Sequence, residues 1–341
     1  MSDISVLWLQ PSTGENISVR RERIAEKLRQ RGLIVDIKDA SGPDTISAIG
    51  HAICGGYDII AGNVRIGLYI GYPLARLLKK PFLADVSDPI EQIDYFPTIL
   101  YELFRKYEWY ILEHSEIVVF TEQESYQIAR DRNIDATLAK NSVNYDLFSN
   151  PTDKTIQFAR NELKKEGINP ESPIAIYPGR FSSAYHIKEI LNSADIVSNW
   201  NFVFLGEGPE KEVIDRASRE KHNVFQMGPY TYENIPGFLQ YADVGLCLVN
   251  VERPLKILEY GAATVPVLGK PGKLKKEFSE EQIWYVNPTP ECIASGLEEI
   301  RDSPKEANKR SKNLNETALK NSWESIADQY YELISQVIAE N

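Results

Sequence analysis

Short apolar runs alternate with amphipathic helical segments along nearly the whole chain, and this alternation restricts the fold to α/β with parallel sheets. Residues 6–9, 33–37, 57–61, 81–85 and 117–121 read as strands of a first half. Between them, 19–31, 67–80 and 97–113 read as helices, and Gly32 stands where a helix C-cap is expected. A second series of strands falls at 174–177, 202–205, 224–226, 244–248 and 265–268. A chain of 341 residues is too long for one ordinary core, so two Rossmann-like domains are expected. The polar, turn-rich stretch 150–154 divides them, giving 1–150 and 151–321. Trp323, Ile326, Ala327, Tyr330, Tyr331, Ile334 and Val337 recur at helical spacing and mark 322–341 as a closing amphipathic helix. In such folds ligands bind at the carboxyl ends of the strands, here in a cleft between the halves.

Composition excludes some functions. With 38 Lys and Arg against 49 Asp and Glu, the net charge of −11 argues against a nucleic-acid partner. Cys54, Cys247 and Cys292 are far apart, lack metal-ligand spacing and read as reduced, buried thiols, as in cytoplasm. The first residues show no signal-peptide pattern, and no apolar run approaches a membrane span.

The chemistry-bearing residues gather after strands of the second half. Lys256 and Glu259, three apart at the start of a helix, share one helix face. A helix N-terminus with a Lys attracts phosphate, and a Glu accepts hydrogen bonds from a sugar diol; together they suit a nucleotide-sugar. The same pair also fits an ordinary surface ion pair. Arg180 follows Gly179 at a strand end, where a guanidinium can grip a diphosphate or serve a surface salt bridge. Gly206, Glu207 and Gly208 form a turn in which the glycines admit a ligand or simply bend the chain.

Taken in order, these motifs resemble a retaining glycosyltransferase of the GT-B fold, similar to glycosyltransferase family four, over nearly the full chain. The resemblance rests on 178–181, 204–209, 227–230, 241–246, 256–263, the domain-closing 141–148 and the helix start 321–324. It implies parallel sheets facing a central cleft, with the last helix crossing back onto the first domain. It implies a sugar transferred from a nucleotide diphosphate to a hydroxyl acceptor, lipid-linked or a growing glycan, with no metal or other cofactor. Arg180 and Lys256 would stabilise the leaving diphosphate. Backbone at Ile257 and Leu258 would face the phosphates, Glu259 the ribose, and the turn carrying Pro229 and Tyr230 the base. In the first half, Asp88 is the candidate catalytic carboxylate, with a helix N-cap as its alternative role, and Gly14 the candidate for close approach to the diphosphate.

Two positions depart from the family pattern. The Lys expected shortly after Arg180 is replaced by Tyr185 and His186, with Lys188 the nearest lysine. The first Glu of the E-x7-E pair would fall at Val251; Glu252 and then Arg253 follow. His186, Lys188, Glu252 and Arg253 are therefore secondary candidates. These departures leave open a GT-B nucleotide-sugar 2-epimerase or a non-catalytic scaffold subunit. The basic first helix (Arg20, Arg21, Arg23, Lys27, Arg29, Arg31) reads as a solvated face or as a peripheral contact with the inner face of a membrane.

Overall fold

The computed structural model describes residues 4–11, 19–87, 98–169 and 171–340, and contacts divide the chain into two units. Unit 1 comprises Met1–Asn141 with Trp323–Asn341; unit 2 is Ser142–Ser322. Gly14 and Asp88 lie outside the described residues.

Unit 1 begins with β1 (Ser5–Gln10), α1 (Val19–Gln30), β2 (Ile34–Asp39), α2 (Asp44–Cys54), β3 (Ile59–Asn63) and α3 (Val64–Leu78). It continues with β4 (Phe82–Val86), α4 (Thr98–Glu113), β5 (Ile117–Phe120), α5 (Gln123–Asp131) and β6 (Thr137–Leu138). The sheet runs β2-β1-β3-β4-β5-β6 with every pairing parallel. Both faces are covered at the centre of the sheet, which is why β1, β3, β4 and β5 are buried almost continuously, whereas the edge strand β2 carries Asp36, Lys38 and Asp39. Val6 and Trp8 enter one core with Ile24 and Leu28 of α1, while Leu7 and Leu9 enter the other with Leu68 of α3.

Unit 2 comprises α6 (Tyr145–Ser149), α7 (Asp153–Lys165), β7 (Ile174–Pro178), α8 (Ile187–Ser193), β8 (Asn201–Leu205), α9 (Lys211–Glu220), β9 (Val224–Met227) and α10 (Ile235–Leu239). It closes with β10 (Val244–Cys247), α11 (Leu255–Ala262), β11 (Val267–Gly269), β12 (Trp284–Tyr285), α12 (Pro290–Asp302) and α13 (Pro304–Lys320). Its parallel sheet runs β12-β11-β10-β7-β8-β9, so the strand order reverses between β7 and β10. The stretch expected as a linker is instead a helix junction: α7 starts one residue after Thr152, whose hydroxyl accepts from Thr155 N at 3.2 Å. The division between units falls earlier, after Asn141.

The final helix, α14 (Trp323–Glu340), packs in unit 1. Tyr330 stacks on Trp8 at 5.7 Å, and its hydroxyl donates to Asp85 Oδ1 at 2.9 Å. Arg20 donates to Ala139 O at 2.7 Å and Tyr330 Oη at 3.3 Å, with Asp85 3.9 Å away. Arg21 donates to Gln10 Oε1 and Asn63 Oδ1, and Asn63 to Asp85 Oδ2 at 2.7 Å. These charges are tolerated inside because they are paired and hydrogen-bonded to one another. The basic residues of α1 are largely engaged within unit 1. Arg20 and Arg21 are buried, Lys27 and Arg31 pair with Glu324 and Asp328 of α14, Arg29 holds Val35 O, and Arg23 pairs with Glu26. The cysteine expectation needs correction: Cys247 is buried, Cys292 is half-buried and Cys54 is exposed.

Candidate functional site

The switch point of the unit 2 sheet is built around Tyr260. β7 and β10 pair over only two residue positions, Val244 with Ala175 and Gly245 with Ile176. The Tyr260 hydroxyl sits 3.2 Å from both Ile176 O and Leu246 O, so it fills the fork where the strands part. A crevice at the carboxyl ends follows from that divergence.

Three loops border it. After β7 comes the turn of Gly179 and Arg180, pinned by Tyr177 Oη donating to Arg180 O at 2.8 Å. After β8, the glycines are required by the backbone itself. A Cβ on Gly206 (φ +148°) would lie 2.1 Å from Gly179 O, and one on Gly208 (φ +151°) 2.5 Å from Phe181 O. Gly179 N donates to Leu205 O and Phe181 N to Glu207 O, both at 2.8 Å, so the two loops continue the sheet's ladder. The Gly-x-Gly turn is thus explained by loop-on-loop packing.

After β10, Pro254 leads into α11. Ile257 N already donates to Pro254 O at 3.1 Å, and the side chains of Ile257 and Leu258 are buried. The backbone donors left at this helix start are therefore those of Leu255 and Lys256, two positions earlier than the expected Ile257 and Leu258. Lys256 is half-buried. Its Nζ lies 4.8 Å from the Tyr177 ring centroid and 4.9 Å from that of Tyr185, and a Cβ on Gly179 would be 2.8 Å from it. The two ring faces favour a cation there. Glu259 is half-buried one turn along. Burial pushes its carboxyl above the usual range, while Lys256 and the Tyr232 hydroxyl act in the opposite direction. Beneath them the buried Cys247 thiol is pushed up to about 12 by burial, which makes it inert.

Arg180 is exposed and, among the described residues, makes no side-chain hydrogen bond or ion pair. Tyr230 packs its ring on Phe238 at 4.7 Å and donates to Glu162 at 3.0 Å, leaving the exposed Gly228 and Pro229 backbone as the open part of that turn. Glu252 pairs with Lys276 at 3.3 Å and Arg253 with Glu277 at 2.9 Å, so both tie their loop to the segment after β11. Lys188 is exposed on α8. His186 meets a group that the sequence reading overlooked: Lys270, the residue after β11, whose Nζ is 3.0 Å from His186 Nε2. The only sequence signal for Lys270 is its place directly after a strand.

Among the described residues, no three His, Cys, Asp or Glu are grouped to hold a metal, and no helix is long and apolar enough to cross a membrane.

Two Rossmann-like parallel sheets, the second with its switch point lined by cations and a carboxylate, define the GT-B class of fold. Residues 158–317, which lie within unit 2, match the family Glycosyl transferases group 1. Solved structures agree on the fold. Sucrose-phosphate synthase from Thermosynechococcus elongatus is 18% identical over 99% of this chain and 100% of its own, with TM-score 0.70. HepE from Anabaena, solved in complex with UDP, is 14% identical over 98% and 100%, with TM-score 0.71. A putative UDP-N-acetylglucosamine 2-epimerase from Listeria monocytogenes is 9% identical over 100% and 98%, with TM-score 0.65. No curated protein sequence matches the chain.

Proposed function

We propose that the chain transfers a sugar from a nucleotide diphosphate to a hydroxyl acceptor, with retention and without a metal. The observation that carries this reading is Lys256. It is a half-buried ammonium at a helix start, beside Gly179, with a half-buried carboxylate one turn away on the same face. Arg180, Lys256 and the first N–H groups of α11 supply the positive charge that a divalent ion would otherwise bring to a leaving diphosphate. Glu259 accepts hydrogen bonds from the ribose hydroxyls, and the Gly228–Pro229 backbone faces the base. Uridine is the first base to test, because HepE was solved with UDP. The acceptor is a glycan or a lipid-linked sugar, met in the cytoplasm or at the inner face of a membrane. Epimerisation is the competing reading, supported by the likeness to the Listeria epimerase; the group 1 family match favours transfer.

The test is a thermal-shift and calorimetric screen against UDP, GDP, ADP and their common sugars, with and without magnesium. Selective binding raises apparent stability. A metal-independent shift with one nucleotide is expected. No shift with any of them sinks the donor site. Product from a sugar nucleotide without an acceptor, with C2 inverted, identifies the epimerase; anomeric analysis of a transfer product reads retention directly.

A further inference from the structure

The charge balance of unit 2 singles out a second lysine. Its half-buried cations Lys211, Lys221, Arg253 and Arg310 pair with Asp215, Asp195, Glu277 and Glu306. Lys256 and Lys270 are as buried, yet among the described residues neither has a carboxylate within ion-pair distance. Both stand at the carboxyl edge of the sheet, Lys256 after β10 and Lys270 after the adjacent β11. They also flank consecutive residues: Lys256 Nζ is 4.9 Å from the Tyr185 ring, and Lys270 Nζ is 3.0 Å from His186 Nε2.

The partner of Lys270 is chemically telling. An ammonium only donates, so His186 Nε2 accepts and the ring is neutral with its proton on Nδ1. That Nδ1 faces Glu189 Oε1 at 3.7 Å, which favours this tautomer. His186 holds φ +55°, so the backbone itself presents the ring in an uncommon conformation. The arrangement orients the ammonium without neutralising it. Partly desolvated like charges raise one another's energy unless an anion joins them.

We propose that Lys270, oriented by His186, binds the donor's diphosphate together with Lys256 and Arg180. Lys270 is a binding residue of the leaving group, and His186 is a positioning residue. This assignment rests on the donor-site reading above and fills the place left by the lysine absent after Arg180.

Calorimetry tests it with whichever of UDP, GDP or ADP binds the wild type, alongside the parent nucleoside. A hydrogen bond to a charged group supports roughly a ten- to hundredfold effect. Lys270→Met is expected to weaken the diphosphate by that factor and leave the nucleoside unchanged, with Lys270→Arg recovering part of the loss. His186→Leu is expected to weaken the diphosphate less, and His186→Gln, which keeps an acceptor, to restore it. Wild-type diphosphate affinity in Lys270→Met, while Arg180→Ala loses it, overturns the Lys270 assignment and leaves the site standing. Equal losses for nucleoside and diphosphate in a variant that melts like wild type also overturn it. If the wild type binds no nucleoside diphosphate, the donor reading itself fails.

Discussion

Glu259 offers the sharpest test of the donor site, because binding and stability should move in opposite directions. Its carboxyl is half-buried and held above the ordinary value of 4.5 by burial, against the pull of Lys256 and Tyr232. The native state therefore holds this proton more tightly than the unfolded chain. Stability then declines as pH rises from 4.5 through the raised value, and the ionised Glu259 lowers stability at neutral pH. A bond from a ribose hydroxyl to this carboxylate contributes about 1.5–3 kcal/mol, or roughly a 10- to 150-fold gain in affinity. Glu259→Gln should thus melt at or above the wild-type temperature while binding the nucleotide at least tenfold more weakly. The 2′,3′-dideoxy nucleotide supplies the control. Wild type should prefer the ribose form by that factor and Glu259→Ala should show almost no preference. In wild type the preference should fade on acidification before the usual carboxylate range is reached; in Glu259→Gln that step should be missing. A Glu259→Ala variant that keeps the full ribose preference by calorimetry would refute the assignment.

Other variants probe the supports. Lys256→Met should weaken nucleoside diphosphate roughly tenfold or more without altering nucleoside binding, since only a charge-assisted contact is lost; equal affinities in titration would remove Lys256 from the site. Gly206→Ala must move the Gly179 carbonyl, which a Cβ would approach to 2.1 Å, so a loss of several kcal/mol in denaturant melts is expected together with loss of donor binding. A wild-type melt would show that the two loops are not locked. Tyr330→Phe takes a donor from buried Asp85 and an acceptor from Arg20, which should cost about 1–3 kcal/mol. Unchanged hydrogen exchange in α14 and β4 would argue against that network.

Several elements were legible because their signals are local. The strands at Val6–Leu9 or Ile174–Tyr177 show as apolar runs, and the Lys256–Glu259 spacing places both on one face of α11 wherever that helix packs. The helix junction at Thr152 was hidden because a cap and a linker share the same polar residues. The reason for Gly206 was hidden as well: a glycine spaced for a turn looks the same whether a ligand or a neighbouring loop presses on it.

The sequence by itself determined the α/β alternation, the two parallel sheets and the chemistry available after the strands, since periodicity and helix-face spacing act within a few residues. Tertiary structure alone decided which charges are spent. It buried Arg20 and Arg21 of a seemingly solvated helix beside Asp85 and Tyr330, and it paired Glu252 and Arg253 with Lys276 and Glu277. It also brought Lys270 to His186 across 84 positions of sequence and left it, with Lys256, without an acid among the described residues. Coulomb energy and desolvation depend on distance and burial, and for residues so far apart in the chain only the folded arrangement sets either.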